Sequence, residues 1–535
     1  MTDAPVKNPF RQAMAWLHTW AGLLLGWVLY FMFVTGTLGY LDTEIDRWMN
    51  PELPVSQRGL PAQEVAQRSL AYLQTRAPAA ESWVISLPLT RNEPYPRVFW
   101  RGGAQPDGLG SGEQMLDPLT GTALFGRETG GGQTLYRMHW KLHYLPEAVT
   151  DWIVGVASLF MLIALVTGVI VHKKIFADFF TFRPGKGQRS WLDAHNMVSV
   201  LSLPFQLMIT YSGLIFMMFV YLPLIIAAWY GAGEKPRQTF FDEVFETPAQ
   251  SAASGRPAPL ASLSSVLGEA ERRWNGAPVA SLEIRHPGDA QARILVRGDF
   301  AAGALRAADL LVFDGVSGEL IAEQPALRST SKAFRDLMLG LHEGLFAAPL
   351  LRAFYLLFGL LGALMIATGL VLWTTKRRQR LEAADHGHLG LRLTERLNVA
   401  TLIGLPVAIA GYFWANRLLP LTLDERAAWE LHCLFITWLL LFLHAALRPR
   451  EAAWREQSWA AALAFGLLPG LNALTSSRHL GHSLVQGDWI MAGIDLGLLA
   501  MGIAFALLAL HLRRRSRQAR KQQFWPAPSR TSADC

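Results

Sequence analysis

Eight long stretches that are free or nearly free of charge constrain this chain more than any other feature. They cover 12–41, 152–172, 194–233, 353–375, 397–416, 431–447 and 457–477, followed by 489–512 with the single charge of Asp495. A helix crosses a bilayer in roughly 20 residues, so each stretch is read as a membrane span. The 194–233 stretch is longer than one span needs, which puts its end, Tyr221–Gly233, at the interface. The first stretch reads as an uncleaved signal anchor, being too long and too far from a small-residue cleavage site for a removed signal peptide. Charged residues make up only 17% of the 535 residues and hydrophobic ones 51%, whereas a soluble chain carries about a quarter charged. A soluble enzyme, a disordered chain and a solvent-facing nucleic-acid binder are excluded. The two cysteines, Cys433 and Cys535, exclude a disulfide scaffold and a Cys-x-x-Cys-His attachment of c-type haem.

Lysine and arginine set the orientation, because they accumulate in cytoplasmic loops. They cluster in 173–193 (Lys173, Lys174, Arg183, Lys186, Arg189), in 376–396 (Lys376, Arg377, Arg378, Arg380, Arg392, Arg396), in 448–456, and in the basic tail 513–535. With eight spans, all four segments and the N-terminus fall on one side. The expected map is span 1 at 10–41, span 2 at 152–172, span 3 at 194–225 and span 4 at 350–375, then a C-terminal four-span module at 397–512. Two segments of soluble composition, 42–150 and 234–348, face the other side. In the first, a helical stretch Ala62–Arg76 precedes alternating strand-like runs at Ser82–Leu87, Arg97–Arg101 and Glu113–Leu116. In the second, Leu260–Trp274 precedes Val279–Arg285, Ala292–Arg297 and Leu310–Phe313. Both series end in Asp-x-x-x-Gly, at Asp117–Gly121 and Asp314–Gly318, and both read as small α+β domains.

The repeated order extends into the membrane. His18 precedes Thr35-Gly36 by the same interval at which His195 precedes Ser212-Gly213. Leu142-His143 precedes a span ending in Thr167-Gly168, and Leu341-His342 one ending in Thr368-Gly369. The unit of span, outer domain and span thus occurs twice in one orientation, so a pseudo-two-fold axis runs along the membrane normal.

Ionisable residues at a span are costly and mark function by default. His18, His172 and His195 stand at the cytoplasmic level, and His139, His143 and His342 at the outer level. The duplication pairs His18 with His195 and His143 with His342, placing equivalent imidazoles opposite each other, as two axial ligands of haem iron require. Zinc would take four ligands, and no such cluster is near. The plain alternative is a set of interfacial histidines with satisfied hydrogen bonds. His172 has Trp373 at its repeat position, and His139 has Met338. His143 therefore ranks as the outer ligand, with His139 behind it or in its place, while any two of His18, His172 and His195 can hold the inner haem. His432 and His444 do not share a helix face. His479 and His482 alone are a weak metal signal, and His286, His386 and His388 need no special account. The expected fold is a membrane all-α protein: a duplicated two-span unit forming a four-helix haem-binding bundle, plus four additional spans and two outer α+β domains.

These residues together resemble the PepSY-associated transmembrane helix family. The resemblance is carried by Leu17-His18-x-Trp20-x-Gly22, His139-x-x-Leu142-His143, His172-Lys173, Phe182-Arg183-Pro184-Gly185-Lys186 with Trp191-Leu-Asp-Ala-His195-Asn196, Leu341-His342-Glu343-Gly344 and Thr368-Gly369-x-x-x-Trp373. It covers about residues 10–380. It implies that the outer domains are PepSY-like modules. It also implies an oxidoreductase of the bacterial inner membrane that carries two b-type haems and reduces ferric siderophores in the periplasm. The chain has no Walker loop and no Gly-x-Gly-x-x-Gly on a strand-turn-helix, so its cytoplasmic electron donor is a flavin, a flavoprotein or quinol. The competing class is a non-redox PepSY protein: a scaffold, a peptide or protease binder, or a transporter. Both ends are expected in the cytoplasm, and a C-terminal reporter should be active there. Activity of a reporter that works only in the periplasm would overturn this topology.

Overall fold

The computed structural model describes residues 9–55, 60–88, 91–102, 110–172, 175, 177, 179–245, 252–326, 329–382 and 389–524. His386 and His388, Lys173 and Lys174, and the end of the basic tail lie outside the described residues. The chain opens with α1 (Pro9–Leu38) and α2 (Asp42–Met49), then α3 (Ala62–Arg76) and strands β1 (Ser82–Ser86), β2 (Arg97–Arg101) and β3 (Ser111–Met115). Next come α4 (Gly131–Arg137), α5 (Glu147–Val171), α6 (Gln188–Phe216), α7 (Met218–Trp229), α8 (Glu234–Phe245) and α9 (Leu263–Arg273). Strands β4 (Val279–Arg285), β5 (Arg293–Gly298), β6 (Leu310–Asp314) and β7 (Leu320–Gln324) lead to α10 (Thr330–Glu343) and α11 (Pro349–Glu382). The remainder is helical: α12 (Leu389–Leu402), α13 (Gly404–Leu418), α14 (Arg426–Leu447), α15 (Arg450–Gly466), α16 (Leu468–Thr475), α17 (Leu480–Gln486) and α18 (Trp489–Phe524).

Among the described residues, eight stretches are long and apolar enough to cross a membrane: Pro9–Met49, Glu147–Val171, Gln188–Phe216, Pro349–Leu381, Leu389–Leu418, Arg426–Leu447, Arg450–Thr475 and Trp489–Arg517. The protein is a multi-pass membrane protein, mostly helical, with one small antiparallel sheet. The third span is shorter than its uncharged run. The chain leaves α6 after Phe216 and starts α7, which exposes Leu224, Ile225 and Trp229.

Two compact units divide the described residues. The first takes those within Met1–Pro51, Arg127–Thr210 and Ala353–Cys535, and the second those within Glu52–Gly126 and Tyr211–Arg352. In the first unit α1 runs along α5. Helix α6 lies on α11, where Gln206 donates to the Phe358 carbonyl at 2.9 Å and the Phe205 and Phe358 rings stack. Glycines let α1 cross α11 closely. A Cβ at Gly359 would stand 2.4 Å from the Thr37 hydroxyl, and one at Gly362 would stand 2.5 Å from the Phe33 ring. Small residues at such crossings allow the backbone approach that drives helix association in lipid. The added helices dock on this body through Asn398, which accepts from the Trp27 indole at 2.9 Å and donates to the Leu370 carbonyl at 3.2 Å.

The second unit departs from the expectation of two separate domains over 42–150 and 234–348. Its strands form one seven-stranded sheet in the order β3-β2-β1-β4-β5-β6-β7. The first strands of the two copies pair antiparallel with each other, Val84 opposite Glu283 and Ser86 opposite Ser281. Each would otherwise be an open edge with unpaired backbone groups. Alternate residues Trp83, Ile85, Val98, Trp100, Leu282, Ile284, Ile294, Val296, Leu311 and Phe313 are buried with Leu73 of α3 and Leu267 of α9. The Asp-x-x-x-Gly ends are matching turns. Asp117 accepts the amides of Leu119 and Thr120, and Asp314 those of Val316 and Ser317. Gly121 and Gly318 close the turns at φ +72° and +76°, where only glycine is unstrained. These amides, Ser317 first, hold the Asp314 carboxyl below its ordinary value. The ends of the 42–150 segment, α2 and α4, belong to the first unit instead.

Gly362→Ala should overpack the α1–α11 crossing at a cost of about 1–3 kcal/mol. Gly497→Ala on α18, where a Cβ meets nothing within 4 Å, should be neutral or stabilising. Thermal unfolding midpoints in detergent check this, and equal midpoints for both variants would contradict the crossing.

Candidate functional site

Within the first unit, two histidines sit in the same seat. The His18 ring of α1 lies on Gly168 of α5, where a Cβ would come 3.2 Å from its Cε1 and 3.5 Å from its Nδ1. The His195 ring of α6 lies on Gly369 of α11, with the same two distances. Nδ1 of His18 donates to the Ala164 carbonyl at 2.8 Å, and Nδ1 of His195 to the Met365 carbonyl at 2.9 Å. Each carbonyl lies three residues before the threonine of a Thr-Gly pair, and Thr167 and Thr368 donate to the same oxygens at 3.2 and 2.9 Å. The sequence marks these threonines as part of the repeat but shows no role for them. Their role is local: threonine and histidine share one carbonyl, and glycine makes the room.

That bond fixes the tautomer, leaving Nε2 to accept, which is how metal-bound imidazoles are oriented. The two rings are 6.5 Å apart, centre to centre. Two imidazoles on opposite sides of one metal ion, with metal–nitrogen bonds of about 2 Å, have ring centres about 6 Å apart. Among the described residues, no group of three His, Cys, Asp or Glu is arranged to hold a metal ion. Each imidazole thus has Nε2 free of its carbonyl bond, and the pair could supply two nitrogen ligands to one metal. His172 caps α5 and lies within electrostatic reach of His195. The Asp-Ala-His run is tied down from the loop before α6: Arg183 holds the buried Asp193 carboxylate through two side-chain bonds of 2.8 and 2.7 Å.

Glycines also lie under two further histidine rings, one in each unit. In the second unit His342, in the last turn of α10, lies on Gly213 and is bonded through Nδ1 to the Ser212 hydroxyl at 2.9 Å. In the first unit the ring on Gly36 is His139, whose Cβ, Cγ and Cδ2 lie 3.5–3.6 Å from a Cβ built there. Burial keeps His139 neutral, its pKa pushed down to about 4. The sequence ranks His143 above His139, and the structure does not seat His143 on the glycine. Helix α4 ends at Arg137, so His139 and His143 follow it in turns and share no helical face, whereas His342 stays inside α10. His143 is exposed and packs against Tyr144 and Phe435. His444 pairs with Glu456 at 3.0 Å, and His479 and His482 stand 6.3 Å apart with no third ligand.

The added helices hold a buried polar cluster where the sequence shows only Asp495. Arg426 and Glu430 pair with both side chains fully buried. Glu430 also accepts from Thr129 at 2.6 Å and Asn416 at 2.8 Å. Arg417 lies 4.0 Å over the Trp48 ring, whose indole donates to Asp495 at 2.9 Å. The signal was the chemistry of Arg426 and Glu430 themselves, which the sequence reading takes as flanking a span that starts at 431.

Fold and site together define a class: a helical multi-pass membrane protein built on a duplicated two-span unit with imidazoles seated on Thr-Gly pairs. The chain belongs to the PepSY-associated TM region family, whose model matches residues 15–376. That match stops before α12, so the last seven helices lie outside it. The chain is also similar to "Uncharacterized protein PA4219" of Pseudomonas aeruginosa, at 26% identity over 410 residues, covering 73% of this chain and 95% of that one.

Removing one partner of a buried ion pair leaves a charge without its counterion, at a cost of about 3–5 kcal/mol. Arg426→Met should therefore lower the unfolding midpoint sharply, and adding Glu430→Leu should restore part of it. A double variant no more stable than the single would refute the coupling.

Proposed function

We propose that the protein is a b-type haem protein of the bacterial inner membrane that carries electrons across it, from a cytoplasmic donor to a ferric acceptor on the far side. The observation that carries this reading is the His18–His195 pair, two imidazoles 6.5 Å apart, each held through Nδ1 by a carbonyl of the neighbouring span. The family is associated with haem-binding membrane proteins. Haem held there supplies reversible one-electron iron chemistry. The chain's own residues do the rest. Thr167 and Thr368 help fix the carbonyls, Gly168 and Gly369 admit the rings, and the apolar spans exclude water. His172 stands beside the inner pair as a positioning residue. His342 on Gly213 and His139 on Gly36 are each, within its own unit, a candidate haem ligand, and His143 competes with His139. The acceptor class is a ferric siderophore or another iron(III) complex, and the donor is a flavin, a flavoprotein or quinol.

One observation favours the non-redox reading as a transporter. Two spans of the added module are interrupted, at Ile403 and at Leu467, as spans are in many transporters. The polar groups near these helices bond mainly to one another, which supports a structural role for them.

His18→Ala and His195→Ala should each lose one of two haem signals in redox titration, with the other kept. His172→Ala should keep both and shift a potential. His342→Ala should lose the second signal. A colourless wild-type protein from haem-supplied cells would remove the electron-carrier reading. Full haem content in His18→Ala or His195→Ala would remove the inner assignment.

A further inference from the structure

The loop between α4 and α5 brings a phenol into contact with two imidazoles. The Tyr144 hydroxyl and Nδ1 of His432 on α14 share a hydrogen bond, and the two rings stack with centres 5.8 Å apart and planes 9° apart. The His143 ring lies 4.1 Å from the Tyr144 ring and flat against Phe435, at 5.7 Å and 17°. Tyr144 is 60% exposed, and its backbone sits at φ +68°. A bulky residue in that region stores strain, and such strain gathers at functional sites. Tyrosines and tryptophans are common at membrane interfaces, which accounts for an exposed Tyr144 and for Trp429 beside His432 at 5.4 Å. It does not account for two imidazoles converging on one strained phenol.

We propose that His143, Tyr144 and His432 are a landing site for iron(III), delivered as a small chelate. The inference rests on the reading of the protein as an electron carrier to a ferric acceptor. A phenolate oxygen is a hard donor, and imidazole suits iron. Helix α5 has 25 residues, a length of about 37 Å, and separates this loop from His172 and the basic loop after it. The site is thus at the end of α5 away from the basic side. On binding, the Tyr144 O–H bond breaks and an O–Fe bond forms. The proton passes to Nδ1 of His432, which becomes imidazolium, and His143 supplies a nitrogen to the metal. Two protein donors leave the other positions to the chelator, as a substrate site requires. The alternative set of histidine, cysteine and carboxylate ligands is absent among the described residues.

The test uses the full-length protein in detergent with ferric nitrilotriacetate as the probe. Resonance Raman reads iron-bound tyrosinate separately from haem, and haem content is measured on the same samples. The wild type should gain tyrosinate vibrations on titration. Tyr144→Phe should lose them at unchanged haem content and unchanged elution on gel filtration, and His143→Gln and His432→Gln should each weaken binding at least tenfold. Two haems with no tyrosinate signal in the wild type, or the same signal in Tyr144→Phe, would overturn the site alone. A tyrosinate signal in a protein without haem would support the site and overturn the electron-carrier reading.

Discussion

A short side chain such as histidine reaches the backbone of a neighbouring helix most readily where a side chain on that helix is missing. Gly168 and Gly369 supply that gap, and the His18 and His195 rings enter it to donate to the Ala164 and Met365 carbonyls. The bond satisfies a polar nitrogen in an apolar setting, where an unmade bond is expensive. It also settles which nitrogen remains for a ligand. Ring orientation, helix spacing and the 6.5 Å between the rings all follow from this contact. Replacing either glycine would push on the ring before it disturbed the fold.

Duplication explains why the contact occurs twice, and it organises the second unit in the same way. In the membrane body, α1 with α5 and α6 with α11 repeat one helix pair. In the sheet, β1 and β4 repeat one edge strand and pair with each other, so that two three-stranded copies become one sheet with β7 added at its end. A copy with an open edge gains backbone hydrogen bonds by meeting its twin. The added helices follow another logic. They are fixed by buried polar bonds, Asn398 to Trp27 and Leu370 on one side and the Arg426–Glu430–Asn416 cluster on the other. Bonds of this kind specify one docking arrangement where apolar surfaces alone would tolerate several.

Much of this was legible in the chain. Uncharged length gives eight spans, and period-two alternation gives Arg97–Arg101 and Val279–Arg285 at their observed ends. Helix Ala62–Arg76 is likewise where its pattern puts it. What pattern cannot supply is pairing between distant segments. The β1–β4 join and the return of α2 and α4 to the membrane body depend on contacts far apart in sequence. The order of His139 and His143 depends on where α4 stops. Arg426 and Glu430 read as span boundaries because isolated charges are expelled from lipid, yet as a pair they are buried. The matching settings of His18 and His195 were legible because a repeat in sequence became a repeat in geometry.

The central claim is that His18 and His195 face one iron from opposite sides. An experimental structure of the protein purified from haem-supplied cells tests it most directly. The account predicts density for a planar macrocycle between the two rings, with Nε2 of each on the metal and Nδ1 of each still on its carbonyl. Rings separated only by water or lipid, in a preparation that retains its haem elsewhere, would contradict it.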